Sequence, residues 1–199
     1  MNKFSRFLGR MLHGEDVVMV RQSKDAWEHQ FADGKWDRLT SGQQNTELLA
    51  RVLLKQRRDG EILRVLDVGC GNGGLAFLIA GEPGIEYTGM DISETALATA
   101  RQIAPRSRFI AADAEQPPAE LGVFDALVFN EVFFYVNPDR ALPLYRAYAA
   151  PLSRVLVSVV RSWRTPFVFR RLHRHLRVYK KFSVTDGVYH WDVVDSHFS

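Results

Sequence analysis

A cluster of four glycines directly after a short apolar segment constrains this chain more than any other feature. The segment 63–68 is mainly apolar, and Gly69, Gly71, Gly73 and Gly74 follow it. An apolar run of this length next to glycines is typical of a buried strand. Glycines let the chain turn sharply and let a ligand approach the main chain closely. The sequence therefore predicts a strand that ends in a ligand-binding turn.

Strand and helix patterns alternate along the middle of the chain. We predict strands over residues 63–68, 86–90, 108–112, 125–130 and 154–160, and helices over residues 74–81, 93–103 and 141–150. This alternation indicates βαβ units and a parallel sheet. The chain is therefore predicted to have an α/β fold, with helices on both faces of the sheet.

The C-terminal region departs from this alternation. Residues 166–176 form a predicted basic helix, and two β-rich runs over 178–185 and 188–194 follow, joined by Asp186 and Gly187. An Asp-Gly pair between such runs favours a type I′ hairpin, because both central residues of that turn need positive φ. The last two strands are therefore predicted to be antiparallel, at the edge of an otherwise parallel sheet.

The N-terminal region is predicted to form a helical cap. Ser23 is placed to cap one helix, and Ser41 with Gln44 forms a capping box for a second. We assign residues 1–45 to this cap and residues 46–199 to the sheet domain.

The composition and the N-terminal sequence indicate the cellular compartment of the protein. The single cysteine, Cys70, excludes an intrachain disulfide, which fits a reducing compartment. Apolar stretches are far shorter than the ~20 residues of a membrane helix, and the N-terminus lacks the apolar core of a signal peptide. Residues 1–14 have the spacing of a basic amphipathic helix, which would pack on the domain or touch a membrane surface. We therefore expect a cytoplasmic protein, with peripheral contact to the inner membrane face as the alternative.

Two ligand classes compete for the glycine turn. Gly69, Gly71 and Gly74 satisfy the G-x-G-x-x-G pattern of dinucleotide sites, which alone is a weak signal. Asp67 stands two residues before the first glycine, and a carboxylate facing the ligand there would repel a diphosphate. The same charge would favour the cationic amino-acid end of a sulfonium cofactor. We therefore favour a sulfonium ligand, with an NAD-dependent oxidoreductase as a less favoured alternative.

With this carboxylate, the stretch resembles motif I of the class I S-adenosylmethionine-dependent methyltransferases. The family pattern D-x-G-x-G-x-G is complete as Asp67, Gly69, Gly71 and Gly73. Asp91 ends the second strand, where an acidic residue binds ribose hydroxyls. The resemblance implies a Rossmann-like, seven-stranded, mostly parallel sheet whose C-terminal hairpin supplies the antiparallel strand. It also implies S-adenosylmethionine as the cofactor.

The resemblance continues along the later strands. Residues 112–114 end the third strand, where the family places an acidic residue near the adenine amino group. Residues 124–135 match the fourth strand, whose end faces the methyl group. Residues 31–39 are similar to a segment of small bacterial methyltransferases acting on sugars or specialised metabolites, including nodulation-type N-methyltransferases. In related enzymes this region folds over the cofactor as a lid, whose side chains here would be Trp27, Phe31, Trp36 and Leu39.

The four strand ends thus form one predicted cofactor crevice. Its expected cofactor-binding residues are Asp67, Gly69, Cys70, Gly71, Asn72, Asp91, Ile92, Asp113, Ala114 and Asn130. Cys70 is expected to serve as a small spacer rather than as a nucleophile. No metal site is expected.

Methyl transfer from a sulfonium needs mainly that the acceptor is held close, in line and away from water. A general base is needed only where the acceptor loses a proton. Glu131, just past the fourth strand, is the best-placed candidate, and Asp113 and His190 are weaker ones. His190, in the last hairpin, is more readily interpreted as structural.

The chain also carries a concentrated basic segment. Its net charge is +3, but residues 161–181 hold eight Lys or Arg and no Asp or Glu, so the remainder is acidic. In the predicted helix, the apolar residues facing the sheet would be Val168, Phe169, Leu172 and Leu176, and the outward cations would be Arg170, Arg171 and Arg174. Such a face suits an anionic acceptor, unless it is simply solvated.

We therefore expect O- or N-methylation of a small-molecule, glycan or lipid-linked acceptor. Many enzymes that methylate base or glutamine amino groups carry Asn-Pro-Pro-aromatic after the fourth strand, whereas residues 130–133 here are Asn-Glu-Val-Phe. This difference disfavours nucleic acid. An RNA methyltransferase, or a methyltransferase-like subunit that binds a partner through its basic helix, is the alternative.

Overall fold

The computed structural model describes residues 20–37, 43–58 and 60–199. Its helices are α1 (Lys24–Ala32), α2 (Gln44–Gln56), α3 (Gly74–Ile79), α4 (Glu94–Ile103), α5 (Pro138–Tyr145) and α6 (Thr165–His175). Its strands are β1 (Leu63–Val68), β2 (Ile85–Asp91), β3 (Arg108–Ala111), β4 (Phe124–Asn130), β5 (Ala149–Val160), β6 (Leu176–Asp186) and β7 (Tyr189–Phe198). No helix in these ranges is long and apolar enough to cross a membrane. The predicted helix over residues 1–14, the lid residue Leu39 and the cap residue Ser41 lie outside the described residues.

The seven strands form one sheet, in the order β3-β2-β1-β4-β5-β7-β6. Strands β1 to β5 pair in parallel, whereas β7 pairs antiparallel with both β5 and β6. This confirms the predicted mostly parallel, Rossmann-like sheet with a C-terminal antiparallel hairpin. The carboxyl ends of β1 to β4 share one edge, and the strand order reverses between β1 and β4. A crevice opens at such a reversal.

Apolar side chains alternate between the two faces of the sheet, and each face is covered by its own helices. On one face, Leu66 and Val68 belong to a core that includes α5 and α6. On the other, Leu63 and Val65 pack with α2 and α3. Because the central strands are covered on both sides, they are apolar nearly throughout.

The helix predicted over residues 141–150 lies earlier in the chain. Helix α5 begins at Pro138, because the Asn137 side chain caps its first turn and proline suits the first helical position. Residues 149–150 belong instead to β5, which pairs with β4 at this point. Pairing between strands thus overrides the helix preference of alanine.

The C-terminal hairpin turns one residue later than predicted. Asp186 pairs with Tyr189, so Gly187 and Val188 are the central residues of the turn. Only Gly187 of these two has positive φ, at 57°. A β-branched residue such as Val188 disfavours positive φ, so the turn follows the type II′ pattern, with glycine first, rather than type I′.

The basic helix α6 buries the predicted apolar face, with Val168 and Leu172 inaccessible to solvent. Its cations are not all directed outward, which corrects the expected basic face. The Arg171 side chain is only 13% exposed, and Arg171 and Arg174 pair with the Asp139 carboxylate of α5 at 3.5 and 2.9 Å. Part of the positive charge is therefore neutralised within the fold.

Candidate functional site

The glycine turn after β1 has a backbone conformation that other residues rarely adopt. Gly69, Gly71 and Gly73 have φ values of 72°, 53° and 90°. The Gly69 amide donates to the Met90 carbonyl oxygen at 2.7 Å, which ties the turn to β2. A Cβ on Gly69 would lie 2.7 Å from Cγ2 of Val132, too close for any larger residue without a shift. The main chain of the turn at Gly69 and Gly71 can therefore be approached closely by a ligand.

Asp91 at the end of β2 holds this turn in place. Its Oδ2 accepts the Gly71 amide at 2.8 Å, and its Oδ1 accepts the Ser93 amide at 2.9 Å. Burial raises the pKa of Asp91, and the hydrogen bonds from Ser93 and Gly71 oppose this effect. Each carboxylate oxygen keeps further capacity to accept hydrogen bonds, so ligand hydroxyls can also be bound.

A cleft with a cavity volume of about 140 Å³ lies at the crevice. Seven of the residues predicted to bind a cofactor line it, namely Gly69, Gly71, Asp91, Ile92, Asp113, Ala114 and Asn130. Glu131 lines it as well. The structure thus brings together residues from the ends of four strands, as the sequence pattern suggested.

Asp67 differs from the expectation, because it lies behind the glycine turn and does not line the cleft. Its residue is 2% exposed, and its Oδ2 accepts the hydroxyl of Tyr87 at 2.6 Å. Burial raises the pKa of Asp67 to about 7, although the Tyr87 hydrogen bond opposes the rise. A direct contact between Asp67 and a cationic ligand therefore stays a prediction. Its Oδ1 is buried and has no hydrogen-bond partner among the described residues.

Three other predicted residues also lie outside the lining. Cys70 is buried, and burial raises the pKa of its thiol, which fits a spacer rather than a nucleophile. Asn72 Nδ2 donates to the main-chain oxygen of Trp36 at 3.1 Å and so attaches the cap to the turn. His190 is exposed on the hairpin, where its Nδ1 lies 2.9 Å from the Thr185 hydroxyl. This position argues against His190 as a proton acceptor.

Aromatic side chains of the cap line one side of the cleft. Trp27, Phe31 and Trp36 line it together with Tyr135, which follows β4. The rings of Trp27 and Tyr135 meet edge to face with centroids 4.9 Å apart, and Trp27 and Trp36 are 5.8 Å apart. The described part of the cap thus lies over the crevice, in the position expected of a lid.

Arg21 attaches the cap to the end of β3. Its guanidinium contacts the Asp113 and Glu115 carboxylates, each at 2.5 Å. Next to it, the Val20 amide donates to the Phe134 carbonyl oxygen at 2.9 Å. Asp113, which the family resemblance places near an adenine amino group, is therefore already paired with a cation of the cap.

Glu28 attaches the cap to helix α4. Its carboxylate accepts the Ser93 hydroxyl at 2.7 Å and the amides of Glu94 and Thr95 at 2.9 and 3.0 Å. These are the first groups of α4, whose N-terminus favours negative charge. Burial alone would raise the pKa of Glu28, but the bonds from Ser93 and Thr95 lower it from 4.5 to about 2.

We expect Glu28→Gln to loosen the cap and to lower stability by about 1 kcal/mol at pH 7, the typical value of a helix cap. Because the pKa of Glu28 is lowered on folding, its contribution is complete above pH 4.5 and is lost as the pH falls from 4.5 toward 2. The melting-temperature difference between wild type and variant should therefore shrink below pH 4.5. Asp25→Asn, on the exposed side of α1, is the control. An equal difference at pH 7 and pH 3 would contradict this role.

Asn130 at the end of β4 is held by helix α2. Its Oδ1 accepts Nδ2 of Asn45 at 2.9 Å, and its Nδ2 donates to the Thr46 hydroxyl at 3.0 Å. Asn45 also donates to the Ser158 hydroxyl at 3.0 Å. The first turn of α2 thus fixes the strand end that faces the cleft.

Several of these residues have no local sequence signal. Sequence reasoning missed Arg21, Glu28, Asn45, Glu115 and Tyr135. Their partners are distant in the chain, so only the packing of the cap on the strand ends reveals them. For Tyr135 alone, the aromatic run after β4 was a usable signal.

The electrostatics of the lining favour a cationic ligand. Its acidic and basic members among the described residues are Arg21, Asp91, Asp113, Glu115 and Glu131. Four carboxyl groups against one guanidinium disfavour a diphosphate. Nε1 of Trp36 is buried and has no hydrogen-bond partner among the described residues, so it is a donor for a ligand.

Sequence comparisons place the chain next to methyltransferases. Residues 65–156 match a family profile described as a methyltransferase domain. The trans-aconitate 2-methyltransferase of Delftia acidovorans is 48% identical over 68 residues, which are 34% of this chain and 24% of that protein. Its counterpart from Variovorax paradoxus is 36% identical over 105 residues, 52% of this chain and 38% of that protein. The chain thus spans less than half the length of these curated relatives.

Structural comparison extends the likeness to almost the whole chain. The N-methyltransferase NodS from Bradyrhizobium japonicum, in complex with S-adenosyl-L-homocysteine, superposes with a TM-score of 0.70 at 18% identity. The match covers 87% of this chain and 97% of that one. At this identity the likeness establishes the fold.

Proposed function

We propose that this chain contains a class I S-adenosylmethionine-dependent methyltransferase domain and that it transfers the cofactor's methyl group to a small organic acceptor. The observation that carries the proposal is the lined cleft at the ends of β1 to β4. A glycine turn, a buried carboxylate and an acidic wall meet there, and this combination suits a cationic nucleoside.

Each part of the cofactor has a proposed set of partners. The main chain of Gly69 and Gly71 would hold the amino-acid end, and Asp91 would accept the ribose hydroxyls. Asp113 and Ala114 would flank the adenine, with Arg21 holding the Asp113 carboxylate. When bound, S-adenosylmethionine supplies a methyl group activated by a positively charged sulfur. The chain's own task is then to place the acceptor and exclude water.

The acceptor would enter between the cap and the loop after β4. Trp27 and Tyr135 offer apolar ring surface there, and Asn130 and Glu131 offer polar groups. Two relatives are named for small acceptors, the trans-aconitate 2-methyltransferase of Variovorax paradoxus and a tocopherol O-methyltransferase of Arabidopsis thaliana, which supports an acceptor of this size. The cations of helix α6 do not line the cleft. Helix α6 therefore does not indicate whether the acceptor is anionic, a glycan or lipid-linked.

A turnover assay with an acceptor panel tests the proposal. S-adenosylhomocysteine formation would be measured with polycarboxylates, phenols, amino sugars, amines and an unmodified RNA transcript, using mass spectrometry to locate the added methyl group. We expect turnover with one of the small-molecule classes and loss of it in the Asp91→Asn variant. Turnover on RNA alone would replace the small-molecule proposal. No binding of the cofactor would remove the proposal altogether.

A further inference from the structure

Glu131 has an unusual backbone conformation and lines the cleft. It follows Asn130, the last residue of β4, and has φ of 62°. Apart from Leu152, it is the only described non-glycine residue with positive φ. Such a conformation is costly for an ordinary side chain and occurs preferentially at functional sites. Here it lies in the cleft lining rather than at a surface turn.

The side chain of Glu131 is held by neighbouring strands rather than by a cation. Its Oε1 accepts the Ser158 hydroxyl of β5 at 3.3 Å, and the Val160 main chain and the Trp191 side chain also bond to it. Ser158 in turn accepts Nδ2 of Asn45. Ion pairs hold Asp113 and Glu115 elsewhere in the lining, but no described cation within ion-pair distance neutralises Glu131.

We propose that Glu131 is the proton acceptor of the methyl transfer and that its charge is coupled to the charge on the cofactor's sulfur. This inference rests on the proposed function and narrows it to acceptors that carry an O–H or N–H group. It follows from a carboxyl group that lines the cleft, is oriented by Ser158 and lacks a counter-ion in the described fold.

In the proposed step, the acceptor gains the methyl group and gives its proton to Glu131. The acceptor's oxygen or nitrogen forms a bond to the methyl carbon, and the carbon–sulfur bond breaks with its electron pair remaining on sulfur. The acceptor's proton passes to a Glu131 carboxylate oxygen and leaves to water after product release. The positive charge on sulfur and the negative charge on Glu131 thus disappear together, so no net charge is left buried.

The titration of Glu131 makes this coupling measurable. Burial raises its pKa from 4.5 to about 8, against the bond from Ser158. A sulfonium nearby favours the ionised form and would lower this pKa, whereas the neutral sulfur of S-adenosylhomocysteine would not. S-adenosylmethionine should therefore bind better as the pH rises through this range, relative to S-adenosylhomocysteine.

Other titratable groups surround the same cleft, and their titration must be distinguished from that of Glu131. They are Tyr135 on the following loop, Arg164 before α6, Asp91 and the buried Asp67 on β2 and β1, and Arg21, Asp113 and Glu115 across the cleft. The two ligands share their amino, carboxylate and ribose groups. The ratio of their affinities therefore reports mainly on groups near the sulfur.

The test is a calorimetric titration of both ligands between pH 6.5 and pH 9 with wild type, Glu131→Gln and Asp125→Asn. We expect the preference for S-adenosylmethionine to rise about tenfold in wild type and in Asp125→Asn, which lies outside the cleft, and to stay constant in Glu131→Gln. Retained S-adenosylhomocysteine affinity shows that the variant is folded. Ser158→Ala should move the midpoint of the wild-type change to higher pH, because it removes the bond that lowers the pKa.

The outcomes separate the two proposals. An equal pH-dependence in wild type and Glu131→Gln overturns the role of Glu131 and leaves the methyltransferase proposal intact. An unmoved midpoint in Ser158→Ala also counts against it. Failure of wild type to bind either ligand overturns both proposals.

Discussion

Replacing Gly69 by alanine should lower cofactor affinity at least tenfold and reduce stability by about 2–3 kcal/mol. The backbone φ of 72° is strained for alanine, at a cost of about 1–2 kcal/mol. The new Cβ would also lie 2.7 Å from Cγ2 of Val132, so the turn or the loop after β4 must shift. Either shift moves the main chain that would face the ligand. Calorimetric titration with S-adenosylhomocysteine and thermal melting measure the two effects.

Gly60→Ala is a matched control for this variant. Gly60 has φ of 80°, but an added Cβ would meet nothing within 4 Å, and the residue lies before β1, away from the cleft. It should lose about 1 kcal/mol of stability and keep its affinity. A second variant, Gly69→Ala with Val132→Ala, removes the clash and keeps the φ strain, so part of the affinity should return. If Gly60→Ala weakened binding as much as Gly69→Ala, the close approach at Gly69 would not explain the effect.

Asp91→Ala should have the second large effect, a loss of about 100-fold in cofactor affinity and several kcal/mol in stability. The substitution leaves the buried amides of Gly71 and Ser93 without an acceptor, at about 1–3 kcal/mol each. It also removes the acceptor proposed for the ribose hydroxyls. Asp91→Asn keeps one oxygen acceptor, so it should fold more stably while still binding weakly.

Asp125→Ala is the control for losing a carboxylate that accepts a backbone amide. Asp125 Oδ2 also accepts a backbone amide, that of Arg64 at 2.9 Å, but it lies at the opposite end of the strands from the cleft. We expect a modest loss of stability and unchanged affinity. Equal losses of affinity in the Asp91 and Asp125 variants would indicate a general effect on the sheet rather than a role for Asp91 in binding.

The sequence predicted those features that depend on local patterns. The bounds of β1 agree with the prediction, because an apolar run next to glycines is an unambiguous signal. Ser23 and Ser93 cap α1 and α4 as expected, through side-chain bonds to Ala26 and Ala96. The strand-end positions of Asp91 and Asn130 followed from the predicted bounds of the second and fourth strands, and their shared edge followed from parallel pairing.

The features that the sequence could not predict depend on packing between distant segments. The motif at Asp67 was identified, but its side chain turns away from the cleft toward Tyr87, a residue of the neighbouring strand. The pairing of Arg21 with Glu115 joins residues far apart in the chain. Arg171 lies on the predicted outward face, but its side chain is largely buried and pairs with Asp139 of α5. Periodicity assigns a residue to a face, but it does not identify the partner there.

The central claim is that the cleft at the ends of β1 to β4 binds a sulfonium nucleoside and not a dinucleotide. Calorimetric titration of the purified chain with S-adenosylmethionine, S-adenosylhomocysteine and NAD tests it most directly. We predict saturable binding of both sulfur nucleosides with one ligand per chain, weakened in Gly69→Ala, and no heat of binding with NAD. Binding of NAD without binding of either sulfur nucleoside would contradict the assignment.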